Sequence, residues 1–502
     1  MKTKTGSISA SLALLLALLF VFAAASCAKQ PDTPAEQTTV PAADTSTEAV
    51  TAEPETTEIN AKNLLGARDF DKKTVCFYSS VYNGAWISDL FHEENDGDVL
   101  GSAVFRRNEI IKSEYNVELT EKESGTRTFS DKLAVQVKAN DPSFNLVYMG
   151  LADASNAAVA GSLIDIKRLS NINLDGAWWN SEAAAAWSIV GKLYYATGDI
   201  TTTDNMSIRM MYFNKDRVKD LKLQSPYDMV GDNTWTFENY FIMVEAAGAD
   251  AGGDGVTISD DDFGVVAQTT FPFMMTTASG EMLTFKDGND SPVCIADGDY
   301  SRLIDVADYL TDHISGHPAV YLGADADIMS IFTSGRSLFM AEVLLHCKTM
   351  RMNYDVNFGL MPMPKYNADQ QCYYQYFTGY CTTTVGVPFH IQDEELDMVS
   401  FILEAMAIES VNTVTPAYSE LCMKGRYVDD YESAGMIDII TGVNPIGKVS
   451  SDLAEVYGWG GLKSTVQDTI ASGQSISGSL TSLNKATKAA IARTVKSIAA
   501  LP

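Results

Sequence analysis

Short apolar runs of strand length alternate with segments of helical period from Thr74 onward, and that alternation limits the folds open to this chain. Thr74–Ser79 (TVCFYS) is β-rich and follows a charged turn, so it reads as a first core strand. Ala103–Tyr115 carries Val104, Ile110 and Ile111 at helical spacings among charges, and Phe129–Lys138 reads as a second helix. Strands are expected at Asn116–Thr120 and at Asn145–Met149 (NLVYM). The pattern repeats with strands at Met210–Phe213, Ser337–Leu345, Asn357–Met361 and Cys381–Val387. Helices are expected at Thr236–Ala247, Tyr300–His313, Glu394–Ile408 and Ser479–Ala500. Strand and helix in alternation imply βαβ units and a mainly parallel sheet, hence an α/β fold.

The folding part of the chain starts late. Lys2 and Lys4 precede an uncharged apolar run, Leu12–Ala25, which is shorter than the roughly 20 residues a permanent membrane span needs. A charged leader, an apolar middle and a small-residue end are the parts of a secretory signal peptide, here 1–26. Ala24-Ala25-Ser26-Cys27 resembles the bacterial lipobox, in which the cysteine becomes the lipid-bearing N-terminus, although Ala24 stands where that motif prefers Leu. Ordinary cleavage with Cys27 left as a thiol is the alternative. Ala28–Asn60 is nearly all Ala, Thr, Pro, Glu, Asp and Gln, which cannot bury enough apolar surface to fold. Residues 27–61 are therefore expected to be a lipid-anchored, disordered linker with a reach of roughly 30 Å. About 440 residues remain, enough for two or more domains. No second apolar run is long and uncharged enough to span a membrane.

A formal charge of −29 argues against nucleic acid as a partner and against adhesion to anionic lipid. Beyond Cys27 there are Cys76, Cys294, Cys347, Cys372, Cys381 and Cys422, with no CxxC spacing. Cys372 and Cys381 flank an aromatic segment and could bridge across a hairpin; the other reading is six small thiols. Asp250, Asp254, Asp260 and Asp261 lie around Gly255 like a calcium loop, but Gly252 occupies the third ligand place, so an acidic turn competes with that reading. His313 and His317 have a four-residue spacing that Gly316 and Pro318 break. GxSxG, Walker and HExxH motifs are absent, and the adjacent pair Asp429/Asp430 lacks the opposed geometry of glycosidase carboxylates, so neither an enzyme nor a cofactor is expected.

Six segments in order give a more specific reading. LVYMGLADASNAAVAGSLIDI (146–166), GKLYYATGDI (191–200), MMYFNKDRVKDLKLQSPYDMVGDNTWTFENY (210–240), FTSGRSLFMAEV (332–343), YDVNFGLMPMPKY (354–366) and SGQSISGSLTSLNKA (472–486) together resemble the extracellular solute-binding proteins of ABC importers. The residues have physical roles too: Asn214 can cap a helix, and Pro362 and Pro364 force the chain out of a sheet. The resemblance implies a two-lobed Venus-flytrap fold with a ligand cleft between lobes that close on a hinge. It places lobe 1 at 62–203 with 371–409 returning to it, and lobe 2 at 204–370 with 410–502, joined near Thr203, Gln370 and Glu409. It also implies a small-molecule solute, most readily a sugar, permease subunits as partners, a monomer, and a place outside the cytoplasmic membrane held by the Cys27 lipid alone. A surface sensor or adhesin on the same fold is the rival.

A sugar offers apolar faces and a rim of hydroxyls, so aromatic and short polar side chains near the crossings are the candidate site residues. They are Tyr82, Asn83 and Trp86 after the first strand, Trp178 and Trp179 among Asn and Gly, and Asp199 and Asp204 before the first crossing. From the second lobe come Phe273 beside Phe271, and Glu342 at the end of a strand. Tyr380 joins Tyr374 and Tyr376 near the second crossing, and Trp459 sits in GWGG, expected to be a flexible loop rich in glycine. Core packing competes with ligand stacking for each aromatic. Trp235 is assigned to packing.

Overall fold

Every element described below comes from a computed structural model, which describes residues 59–80, 89–92, 98–126, 128–249, 260–379 and 381–502. All of them belong to the unit that runs from Thr57 to Pro502. The strands among them are β1 Lys73–Ser79, β2 Val117–Glu123, β3 Leu146–Gly150, β4 Arg209–Asn214, β5 Phe263–Gln268, β6 Thr284–Lys286, β7 Pro292–Cys294, β8 Val320–Gly323, β9 Ser337–Val343, β10 Phe358–Met361, β11 Tyr373–Tyr376, β12 Thr383–Gly386 and β13 Gly447–Ser450.

Two main sheets result, ordered β12-β3-β1-β2 and β10-β4-β9-β5-β8. In the first, β1 lies parallel to β2 and β3, and β12 returns antiparallel against β3 with Thr383 opposite Gly150. All five residues of β3 are buried, as a strand covered on both faces requires. β2 alternates buried Val117 and Leu119 with exposed Glu118 and Thr120, the pattern of an edge. The second sheet departs from the parallel expectation. β5, β8, β9 and β10 share one direction, and β4, between β9 and β10, runs against both. β4 pairs with β9 with Arg209 opposite Val343 and Phe213 opposite Phe339.

Local chemistry explains the ends of these elements. Helix Val99–Tyr115 stops at Asn116, whose left-handed φ of 49° turns the chain straight into β2. Asn214 caps the helix after β4 by accepting from the Arg217 N–H at 3.0 Å. After β10, Pro362 and Pro364 donate nothing to a ladder; the Pro362 carbonyl instead accepts the Trp235 indole N–H at 2.9 Å. Trp235 is fully buried against Tyr240 and Phe339, so it is packing. Helix Asp393–Asn412 lies on helices Val99–Tyr115 and Ala61–Leu65 and closes the first core over Val75, Ile111 and Tyr115. The C-terminal segment touches elements of both sheets: Ser155 Oγ donates to the Val456 carbonyl at 3.1 Å, and helices Leu462–Ala471 and Phe271–Ala278 pack together.

Cys76, Cys294, Cys347, Cys372 and Cys381 are free thiols. Cys27, Asp250 and Asp254 lie outside the described residues, and Asp261 is buried.

Candidate functional site

In open α/β sheets, ligands sit beyond the carboxyl ends of parallel strands. In the second sheet those ends carry an unexpected polar group. Gln268 ends β5 and Glu342 is the penultimate residue of β9; the Ala267–Ala341 register makes them neighbours. Arg209, at the start of β4, lies opposite Val343. Its Nη1 donates to Glu342 Oε2 at 2.9 Å and its Nη2 to Gln268 Oε1 at 2.7 Å. Gln268 then donates through Nε2 to Asp325, and His346 Nε2 stands 3.5 Å from the same Glu342 oxygen.

Arg209 is 6% exposed and Glu342 2%. Burial works against the Arg209 charge, but Glu342, with Tyr376, Cys381 and Glu455 beyond it, outweighs burial and raises the guanidinium further. A buried ion pair is favourable only when its remaining donors and acceptors are matched. Here they are not: Glu342 Oε1 and Arg209 Nε are buried without a protein partner. Buried polar atoms are nearly always paired, so this acceptor and donor left over at the carboxyl end of the sheet mark the cluster as the candidate site.

Tyr376, Cys381 and Glu455 lie close enough to this group to act on its charge. Burial pushes the Cys381 thiol up to about 11 against the pull of Arg209. Glu455 accepts from the Gly379 N–H at 3.1 Å and pairs with Lys463, whose ammonium sits 5.2 Å from the Phe273 ring. Phe273 meets Tyr376 edge to face at 5.2 Å. Beside Leu344 and Leu345, a cavity of about 190 Å³ opens between the two sheets' elements, with Phe91 and Val104 on one wall, Lys348 on the other and Met206 between.

The residues singled out from the sequence separate into groups. Tyr82, Asn83, Trp86 and Tyr380 lie outside the described residues. Glu342 stands in the polar cluster and Phe273 borders it, but Phe273 is 1% exposed and presents no face. Trp178 and Trp179 are drawn away by a partner no periodicity announces. Their indole N–H groups donate to the two oxygens of Glu404, at 2.9 and 2.8 Å, and Trp179 is buried. Burial raises the Glu404 carboxyl, while both indoles hold it down. Trp459 also corrects an expectation. GWGG is no loose loop but a short 3-10 turn with left-handed Gly458, Gly460 and Gly461, and Trp459 is buried, stacked on Tyr457 at 5.0 Å and bonded to Thr494 Oγ1 at 2.9 Å.

Asp199 and Asp204 lie near one another on the stretch that leads into β4. Burial lifts Asp199 to about 6, against the Thr415 hydroxyl, and lifts Asp204 well above the carboxylate range. Sequence reasoning missed Arg209, Gln268 and His346. Arg209 did leave a signal, since it is a cation joined directly to the apolar run MMYF.

Known proteins agree with this architecture. Residues 109–383 match the family of bacterial extracellular solute-binding proteins. No curated protein matches the chain in sequence. Among solved structures, a cyclo/maltodextrin-binding protein complexed with maltotetraose is 11% identical with a TM-score of 0.53, covering 85% of this chain and 97% of its own. UgpB from Mycobacterium tuberculosis, in complex with glycerophosphocholine, is 14% identical with a TM-score of 0.52, over 84% and 99%. An ABC substrate-binding protein from Listeria monocytogenes in complex with cycloalternan is 12% identical with a TM-score of 0.51, over 86% and 100%. At such identities the likeness is one of fold.

Proposed function

Since the chain belongs to the bacterial extracellular solute-binding proteins, we propose that it captures a sugar or oligosaccharide between its lobes and passes it to the permease subunits of an ABC importer. The supporting observation is the buried Arg209–Glu342 pair, whose unmatched Nε and Oε1 stand at the carboxyl end of the second sheet. Donor and acceptor side by side suit vicinal hydroxyls, which both give and accept hydrogen bonds. Maltotetraose, bound by one structural relative, is a first probe, and glycerophosphocholine, bound by another, is the contrasting one.

In this proposal the lobes are 62–203 with 371–409, and 204–370 with 410–502, and they close about their crossings. A lipid on Cys27 holds the protein to the outer face of the membrane as a monomer. Tyr82, Asn83, Trp86 and Tyr380 belong to the same site by their places in the chain, after β1 and within the return passage. Thermal shift against mono- and oligosaccharides tests the reading. Stabilisation follows RT ln(1 + [L]/Kd), about 2.7 kcal/mol at 100 Kd. A protein stabilised only by glycerophosphocholine, or by no solute, refutes the sugar assignment.

A further inference from the structure

The chain passes between its two main sheets from β3 to β4 and back from β10 to β12, and leaves the first core once more after helix Asp393–Asn412. Residues at the first-core ends of these three passages bond to two buried charged residues, Asp89 and Arg107. Asp89 lies between β1 and helix Val99–Tyr115, and Arg107 lies within that helix. Arg107 Nη1 donates to the Ile200 carbonyl at 2.9 Å, at the entry to the first passage, and to Ser410 Oγ at 3.3 Å, just before the third. Its Nη2 donates to the Leu90 carbonyl at 2.9 Å and its Nε to Asn108 Oδ1 at 3.0 Å. Asp89 accepts from Tyr148 Oη at 2.6 Å, from Thr201 and Thr202 Oγ1 at 2.9 Å each, and from the Thr202 N–H. Thr201 Oγ1 in turn lies 2.9 Å from Thr383 Oγ1, which also meets Thr203, so the second passage is tied in as well.

These contacts have two mechanical characters. The guanidinium is a planar fork whose bonds are fixed together, and it is completely buried. Hydroxyls rotate and exchange donor and acceptor roles without moving the backbone. A rigid guanidinium bordered by rotatable hydroxyls is what a hinge requires: one fixed pivot and partners that can be remade as the strands turn.

We propose that Asp89 and Arg107 form the hinge anchor of this protein, positioning residues that hold the three passages in register and, with Asp89 also on the wall of the cavity of about 190 Å³, set solute affinity. The effect on affinity rests on the solute-capture reading above; the hinge itself does not. Neither residue belongs to the Arg209–Glu342 cluster.

Hydrogen exchange by mass spectrometry on the full chain, without solute, tests the anchor. Thr383→Val removes one hydroxyl and keeps the shape; it should speed exchange roughly tenfold in 200–208 and 377–386 and leave β5 and β9 unchanged. Arg107→Lys replaces the fork by a single ammonium and should extend the loss to 408–413. Unchanged protection at the passages, or protection lost everywhere in one proportion as for an ordinary core residue, overturns the proposal. Calorimetric titration of both variants with maltotetraose supplies the second readout. If the parent binds, Kd should move about tenfold in both variants, and an unmoved Kd refutes the link to affinity. If the parent binds no sugar, the solute reading fails while the exchange result still decides the anchor.

Discussion

The Arg209–Glu342 pair lends itself to a double-variant experiment that separates stability from binding. Replacing Glu342 with Leu leaves the Arg209 guanidinium, 6% exposed, with Gln268 but no carboxylate. An uncompensated buried charge costs about 3–5 kcal/mol of stability. Arg209→Met should cost less, because Glu342 keeps the Val343 N–H at 2.9 Å and the His346 ring at 3.5 Å. The double variant Arg209→Met/Glu342→Leu removes both charges and fills the space with carbon, so it should fold within about 1 kcal/mol of the parent. The coupling between the two sites then amounts to several kcal/mol. Urea denaturation measures the three stabilities, and titration with the solute found by screening measures binding. The double variant should be stable and unable to bind. A double variant that loses the sum of the single losses shows the pair to be a structural strut. One that binds normally removes Arg209 and Glu342 from the site.

Other expectations follow from the same geometry. Trp179→Phe removes the indole donor to Glu404 and should cost about 1.5–3 kcal/mol in denaturant melts while leaving affinity untouched; an affinity loss without a stability loss would restore Trp179 to the cleft. Trp235→Ala empties a core position and should cost about 3–5 kcal/mol, and a smaller effect would contradict its burial. Burial raises Asp199 from 3.8 to about 6, so the native state keeps a proton that the unfolded chain has already lost. Its contribution to stability therefore falls as pH rises between those values and does not recover above them. Asp199→Asn should flatten that part of the stability profile and add about 1–3 kcal/mol at pH 7, and an unchanged profile would refute the assignment. Cys27→Ser should release the protein from the membrane fraction into the medium, and retention at the parent level would count against the tether.

Legibility followed the physics of each feature. Helix Phe129–Lys138 has the bounds its period gave, and most other elements lie within a few residues of expectation, because burial on one face writes itself into spacing. β5 and β8 were not anticipated: FGVVAQ follows an acidic stretch, and all four residues of β8 are only half-buried, so neither stands out by apolar contrast. The site was harder to read. Glu342 could be found because it ends a strand, but its partners Arg209 and Gln268 lie 133 and 74 residues earlier, and only the sheet brings them together. Glu404 lies 225 residues beyond Trp179, and aromatic residues near a turn look alike whether a carboxylate or a solute awaits them.

The position of β12 also governs the order in which the polypeptide can mature. The first sheet needs Thr383–Gly386 to cover the side of β3, and its core needs helix Asp393–Asn412 to cover Val75, Ile111 and Tyr115. Both are made only after the whole second sheet, up to Met361 in β10, has been synthesised. Contacts of such long sequence separation form slowly, and an uncovered strand edge is open to wrong pairing while it waits. Chains arrested before Thr383 should therefore leave the side of β3 and the face over Val75, Ile111 and Tyr115 uncovered, which makes the early part of the molecule the client of any chaperone that meets it on the way out.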